Sequence, residues 1–336
     1  MTHVPSSIGF VSALSALAIV GIAMTWMLLS PRPRVWLVRK MFDHAGFAVA
    51  KRLQRHVPLQ VREQLDRVYD AADPDARLDL FQPGLDCGPT AGLPTLVWVH
   101  GGGWVAGGKG QIANYLRIVA SRGFNVVGLG YSLAPARRFP TPLRQLDAAL
   151  NYLTAHAPEL GIDASRLALA GDSAGAQIVH QYSVAVVDKT YAASLPLNPS
   201  LEPERLRAIA LFCGAFDLGQ VRARGLTGRL ARVLLGAYLG KKDFRSAPPY
   251  ALMQFERHTP RSMPPLFISV GDADPLERQS RALADSTIAL GLRVERLFFD
   301  AIPARRLGHE YQFNLDLPEG RLALERLCAF LTREAS

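Results

Sequence analysis

The pentapeptide Gly171-Asp172-Ser173-Ala174-Gly175 follows directly on the run Arg166 to Ala170, which reads as a buried strand, and that junction constrains the chain more than any other stretch. A strand that turns sharply into a helix leaves no room for Cβ atoms beside the residue at the turn. Glycines therefore flank it, and the central side chain projects from the sheet edge. The pattern Gly-x-Ser-x-Gly thus puts the Ser173 hydroxyl where it can attack a carbonyl carbon. Alone, the pentapeptide also fits an ordinary turn, because glycine and serine are common.

A second glycine cluster narrows the choice. His100-Gly101-Gly102-Gly103-Trp104 stands immediately after the apolar strand Thr95 to Val99. Three consecutive glycines form poor regular structure, but they suit a backbone that must present N–H groups at close range to a developing negative charge. A flexible linker would not sit between a buried strand and a tryptophan. A serine nucleophile also needs an acid and a base, which follow it on later strands. Leu266 to Val270 reads as such a strand and opens into Gly271-Asp272-Ala273-Asp274-Pro275-Leu276. Asp272 and Asp274 compete there for the acid, with Asp217 a third candidate after the strand Ala208 to Cys213. His309 is the only histidine beyond the last strand, Val294 to Phe299.

A rival reading belongs to another class. Gly103-Trp104-Val105-Ala106-Gly107-Gly108-Lys109 fits Gly-x4-Gly-Lys, the phosphate-binding loop of nucleotide hydrolases. Gly110 stands where that loop needs Ser or Thr to hold magnesium, and Trp104 is bulky for a loop wrapped on phosphate. The spacing therefore favours the carbonyl-attacking serine.

Taken together, the motifs resemble the hormone-sensitive-lipase-like branch of the α/β-hydrolase esterases, including bacterial esterases of the acetyl-esterase type. The resemblance rests on His100 to Trp104, on Tyr131-Ser132-Leu133-Ala134-Pro135 with Phe139-Pro140, on Gly171 to Gly175, on Asp274-Pro275-Leu276 and on Gly308-His309, in the family's order over about residues 93 to 315. One departure is Ala136-Arg137-Arg138, where many members carry Glu after Ala-Pro; it puts a loop-anchoring contact in question. The resemblance implies an α/β-hydrolase fold and selects Asp274, the aspartate before Pro-Leu, as the acid. It implies a serine carboxylesterase for short to medium acyl chains, with Ser173 as nucleophile, His309 as base, and the N–H groups of Gly102, Gly103 and Ala174 as the oxyanion hole. His100, Gly101 and Trp104 would support that loop. It further implies cap elements at about 31–90 and 218–260. Neighbouring readings are an amidase or formamidase, a lipase for lipid esters, and a non-enzymatic binding relative that would have little reason to keep all three triad candidates.

The rest of the chain bears on organisation. Strands near Thr95, Asn125, Arg166, Arg207, Pro265 and Arg293 alternate with helical stretches such as Pro142 to Ala155, Ala174 to Val187, Arg278 to Leu290 and Glu319 to Thr332. That alternation predicts a mostly parallel, doubly wound sheet over residues 61–336. Ile8 to Leu29 is 22 residues without a charge, about 33 Å as a helix, which predicts a transmembrane span at 8–29. A cleaved signal peptide would begin with basic residues and end in small ones, and Met1 to Ser7 and Trp26-Met27-Leu28-Leu29 meet neither requirement. A buried core helix of that length would carry a polar stripe, yet the polar residues are only Ser12, Ser15 and Thr25.

Between Pro31 and Arg55 stand seven basic residues (Arg32, Arg34, Arg39, Lys40, Lys51, Arg52, Arg55) against Asp43, so this segment carries +6 of the chain's net charge of +9. The asymmetry predicts a basic juxtamembrane segment at 30–60, with the N-terminus outside and the catalytic domain on the cytoplasmic side. Val35 to His56 alternates apolar and basic residues in helical fashion and either lies on the anionic leaflet or is a solvated linker. The high pI then belongs to the membrane flank and gives little reason to invoke nucleic acid. Cys87, Cys213 and Cys328 are odd in number and far apart, and the eight histidines form no ligand-spaced pair. No disulfide framework, metal or cofactor is expected.

Overall fold

The computed structural model describes residues 32–84, 92–220, 225–255, 258–300 and 306–335, together with Ser15, Ala18, Gly21, Thr25 and Ser30. Its centre is an eight-stranded sheet of order β1-β2-β4-β3-β5-β6-β7-β8. The strands are β1 (Val61–Val68), β2 (Arg77–Pro83), β3 (Thr95–Val99), β4 (Asn125–Leu129), β5 (Leu167–Asp172), β6 (Leu206–Phe212), β7 (Leu266–Val270) and β8 (Val294–Phe298). From β3 to β8 the pairing is parallel; β1 and β2 are antiparallel additions at one edge.

The parallel strands read as continuous apolar runs because helices cover both of their faces. Alternate residues of one strand enter two different cores. Val97, Leu169, Ile209 and Ile268 pack on one side with Leu146, Leu150, Ile178 and Leu283, while Trp98, Ala170, Ala210 and Phe267 pack on the other with Leu116, Leu324, Leu327 and Phe330. These partners come from helices α2 (Lys109–Ala120), α3 (Thr141–Ala155), α4 (Ala174–Val187), α6 (Glu277–Ala289) and α7 (Pro318–Ala335). Each large apolar side chain so buried contributes about 2 kcal/mol.

Two further helices lie over the strands' C-terminal edge: α1 (Arg32–Leu53) and α5 (Gly225–Leu239). Here the structure corrects the sequence reading. Residues 61–83 are not cap; they are β1 and β2 of the sheet, so among the described residues of 31–90 it is helix α1 that lines the site. Nor is 30–60 a linker apart from the catalytic domain. Val35 and Leu53 of α1 are buried, Asp43 accepts from Gly107 N at 3.2 Å and Gln111 Nε2 at 3.1 Å, and Asn114 of α2 donates to Ala50 O. Arg39, counted above among the membrane-flanking cations, points inward and donates to Val105 O at 2.5 Å and Ala134 O at 2.9 Å.

Among the described residues no helix is long and apolar enough to cross a membrane. The expected span Ile8 to Leu29 lies outside them except for Ser15, Ala18, Gly21 and Thr25.

Candidate active site

Strand register brings the motif residues to one place. Val99 pairs with Gly171 and Phe212 pairs with both Asp172 and Ser269, so the residues just after β3, β5, β6 and β7 emerge side by side at the C-terminal edge of the sheet. Ligand sites of open α/β sheets lie at that edge. Ser173 sits at φ 52°, ψ −117° between β5 and α4, and its N–H donates to Phe212 O at 2.9 Å. Such a backbone is costly for a residue with a Cβ, and it persists because the surroundings hold it. Gly175 allows α4 to start there, since a Cβ on it would lie 2.0 Å from Val99 O.

His309, beyond β8, places Nε2 3.0 Å from Ser173 Oγ and Nδ1 2.8 Å from Asp274 Oδ2. A carboxylate only accepts, so Nδ1 carries the proton toward Asp274 and Nε2 is left to accept from the serine hydroxyl. The Asp274 side chain is fully buried, and its second oxygen accepts from Leu276 N at 2.7 Å. The two competing aspartates are engaged elsewhere: Asp272 Oδ1 accepts from Leu307 N and Asp217 Oδ1 from Gly219 N, each at 2.7 Å.

The His-Gly-Gly-Gly-Trp loop lies against this trio. Tyr131 OH donates to His100 O at 3.0 Å and lies 3.3 Å from Gly101 O. The His100 ring, stacked on Tyr131 at 4.2 Å, donates through Nδ1 to Gly101 O at 2.7 Å. Burial pushes the His100 pKa down to about 4, so the ring is a neutral brace. Gly102 has φ 105° and no room for a Cβ, which would lie 2.1 Å from Ala106 O; its carbonyl is taken by Val105 N and Ala106 N. Among the described residues the N–H groups of Gly102 and Gly103 meet no acceptor. Ala174 is the first residue of α4, ahead of the first intrahelical bond, so its N–H has no acceptor within the helix. Trp104 is buried, stacked on Tyr238 of α5 at 4.9 Å, and donates to Gln177 Oε1 at 2.8 Å.

Three residues at the site were not singled out from the sequence. Asp172, the unspecified x of the pentapeptide, accepts from Trp98 Nε1 at 2.7 Å and Gly101 N at 2.8 Å; it ties the glycine loop to the elbow. Burial and then the charge of Glu310 push its carboxyl well above the usual range. Glu310, next to His309 in sequence, sets Oε1 3.7 Å from His309 Nε2. Cys213 follows β6 with φ 43°, and its Sγ, an Asp274 oxygen and a His309 nitrogen lie within 4.8 Å of one another. That is the one grouping among the described residues able to hold a metal ion, but both imidazole nitrogens already serve Ser173 and Asp274. Burial raises the Cys213 thiol to about 11. Desolvation pulls the His309 pKa down, and the neighbouring sulfur and the Asp274 carboxylate outweigh it, leaving it well above its ordinary 6.5.

Lys109, the lysine of the phosphate-loop reading, is committed inside the protein. Its Nζ lies 2.6 Å from Asp79 Oδ1 and 2.7 Å from Asp66 Oδ1. Over the trio opens a cavity of about 1280 Å³, walled by Phe42, Gly46 and Val49 of α1, Leu230 and Leu234 of α5, and Leu276. That is larger than the ~300–1,000 Å³ of most small-molecule sites.

Comparison with known proteins agrees with this architecture. A family model described as alpha/beta hydrolase fold matches residues 96–303. The acetyl esterase of Salmonella paratyphi B is 31% identical over 198 residues, which cover 56% of this chain and 58% of that protein; the acetyl esterase of Salmonella choleraesuis gives the same figures. The match thus spans little more than half the length of these relatives. Among solved structures, esterase B of Lactobacillus rhamnosis superposes with a TM-score of 0.74 at 23% identity, covering 91% of this chain and 97% of that one. A Pyrobaculum calidifontis esterase gives 0.70 at 23% identity, with 88% and 92% covered. At that identity the likeness is one of fold.

Proposed function

The chain belongs to the alpha/beta hydrolase fold family, and from that membership we propose that it is a serine carboxylesterase hydrolysing esters of short to medium acyl chains. The observation that carries this reading is the line from Asp274 Oδ2 through His309 to Ser173 Oγ, with spacings of 2.8 and 3.0 Å, beside a glycine turn in which the N–H groups of Gly102 and Gly103 meet no acceptor among the described residues.

The residue chemistry gives the sequence of steps. Ser173 Oγ attacks the ester carbonyl carbon as His309 Nε2 takes the hydroxyl proton. Asp274 holds the imidazole tautomer and stabilises the imidazolium without itself taking the proton. The tetrahedral oxyanion accepts from the N–H groups of Gly102, Gly103 and Ala174; one such donor contributes ~3 kcal/mol. The imidazolium returns its proton to the departing alkoxide, leaving the acyl group on Ser173. Water, deprotonated by the same imidazole, then releases the acid and restores the serine. The similarity to acetyl esterases supports a small acyl group, and the size of the cavity supports a larger alcohol.

The same reading keeps the chain on a membrane, tethered by Ile8 to Leu29 with the catalytic domain on the cytoplasmic side. It is supported by the charge-free run and by the basic residues that follow it. Resistance to carbonate extraction, and a catalytic domain left whole by protease outside intact cells, are the expected results; external digestion of that domain would contradict them. For the chemistry, hydrolysis of an acyl-length series of aryl esters in detergent should peak at short chains and vanish in Ser173→Ala. Magnesium-dependent ATP turnover lost in Lys109→Ala would point to the phosphate-loop class instead.

A further inference from the structure

Helix α1 has two faces with different duties. Its inner face carries Val35, Phe42, Val49 and Leu53 onto the domain and supplies part of the cavity wall. Its outer face leaves Trp36, Leu37, Met41 and Phe47 between 55% and 65% exposed. Leu59, just past the helix, is fully exposed. Five of the nine exposed large apolar residues among those described thus lie within this short stretch, and a soluble surface rarely concentrates them so.

Charge identifies what covers this face. At 100° per residue, Trp36, Phe47, Lys40, Lys51, His44, Leu37 and Met41 fall on one arc of about 140°. All seven are exposed, as is Arg32. No acid shares that side, for the helix's one acid, Asp43, is turned inward onto Gly107 and Gln111. Tryptophan, apolar side chains and lysines mixed on one exposed helix face suit the headgroup layer of an anionic bilayer, where lysine stems lie among the apolar groups and their ammonium heads reach the phosphates. A second copy of this face would set like charges against each other, since it carries cations and no acid. The helix also begins three residues after the charge-free run Ile8 to Leu29.

We propose that the outer face of α1 docks on the anionic surface of a lipid bilayer, so that the helix forms the wall between the headgroup layer and the cavity over Ser173. The substrates it serves are lipophilic esters dissolved in that bilayer; this last clause rests on the esterase reading, whereas the docking does not.

The test uses the full chain in vesicles of phosphatidylcholine and phosphatidylglycerol at three to one. Trp36 emission is taken as the difference between the parent and Trp36→Phe. Brominated lipid should quench it at least twofold while aqueous iodide does not, and Lys40→Glu with Lys51→Glu should reverse that ranking. Quenching by iodide alone would place the face in water, and quenching by neither would mean that a second copy or another segment covers it; either result overturns the docking. In activity, Trp36→Ser with Phe47→Ser should leave kcat/KM on a soluble short aryl ester within about twofold and lower hydrolysis of a vesicle-embedded long-chain ester at least tenfold. Equal loss on both esters would overturn the substrate clause. A parent that hydrolyses neither ester would overturn the esterase reading and leave the Trp36 result standing.

Discussion

The floor of the cavity and its roof are held by different forces. In the floor, Ser173, His309, Asp274, Asp172 and Gly101 take part in directed hydrogen bonds of 2.7 to 3.0 Å, and the backbone is held at φ 52° at Ser173 and φ 105° at Gly102. Above it, α1 and α5 present Phe42, Val49, Leu230 and Leu234, whose contribution is shape and apolar area. Directed bonds fail almost completely when one atom is removed, whereas apolar walls give way by degrees. Floor substitutions should therefore abolish turnover, and roof substitutions should redistribute it among substrates.

The largest expected effect is the loss of the nucleophile. Ser173→Ala should lower kcat by at least ~10⁴-fold, as removal of a triad serine does elsewhere, in a protein whose thermal unfolding is unchanged. Activity within about tenfold of the parent would remove Ser173 from the mechanism.

Next is the choice of acid. Asp274→Asn leaves His309 with the wrong tautomer and should cost ~10³- to 10⁴-fold in kcat, while Asp272→Asn, which loses a bond to Leu307 N, should cost less than tenfold. The pH profile sharpens this. His309 acts as a base only when neutral and its pKa is raised above 6.5. The kcat/KM profile should therefore be flat at alkaline pH and fall as pH drops through a midpoint above 6.5. In the residual activity of Asp274→Asn, where one of the groups that raise it has lost its charge, that midpoint should move to lower pH; an upward move would contradict the assignment.

Roof changes should be smaller and selective. Leu234→Ala or Leu230→Ala should change the ratio of kcat/KM for longer over shorter acyl chains by about tenfold, the discrimination of one or two methylenes, with kcat on the best substrate nearly kept. A loss of kcat that is uniform across the series would mean that α5 positions the floor.

Much of the floor was legible because its parts demand particular residue types in any context: glycines where a Cβ cannot fit, a serine at the elbow, a histidine after the last strand. Asp274 was separated from Asp272 only by resemblance, and geometry now gives the reason in the bond that Asp272 makes to Leu307 N. Asp172 and Glu310 escaped notice because single acids beside motif residues acquire a role only when the fold sets them side by side. At the edge of the sheet, β1 and β2 broke the strand–helix alternation by pairing antiparallel with no helix between them, and β1 mixes charged and apolar residues without a fully buried face. Arg39 looked like one more cation of a membrane flank, and only its contacts with Val105 and Ala134 give it another task.

The smallest expected effect concerns stability rather than chemistry. Lys109→Ala strips a partner from buried Asp79. It should lower unfolding free energy by roughly 2 kcal/mol, between exposed and fully buried pairs, with kcat on the folded enzyme within about threefold. A variant of parental stability would show that the pair contributes nothing.

The central claim is that Ser173 forms a covalent acyl-enzyme through His309, and mapping an active-site label tests it most directly. After treatment with a fluorophosphonate, intact mass should show one adduct per chain. Peptide mapping should place it on Ser173, and labelling should be slowed at least a hundredfold in Asp274→Asn but not in Asp272→Asn. An adduct on any other residue, or none on a protein that still hydrolyses esters, would contradict the account.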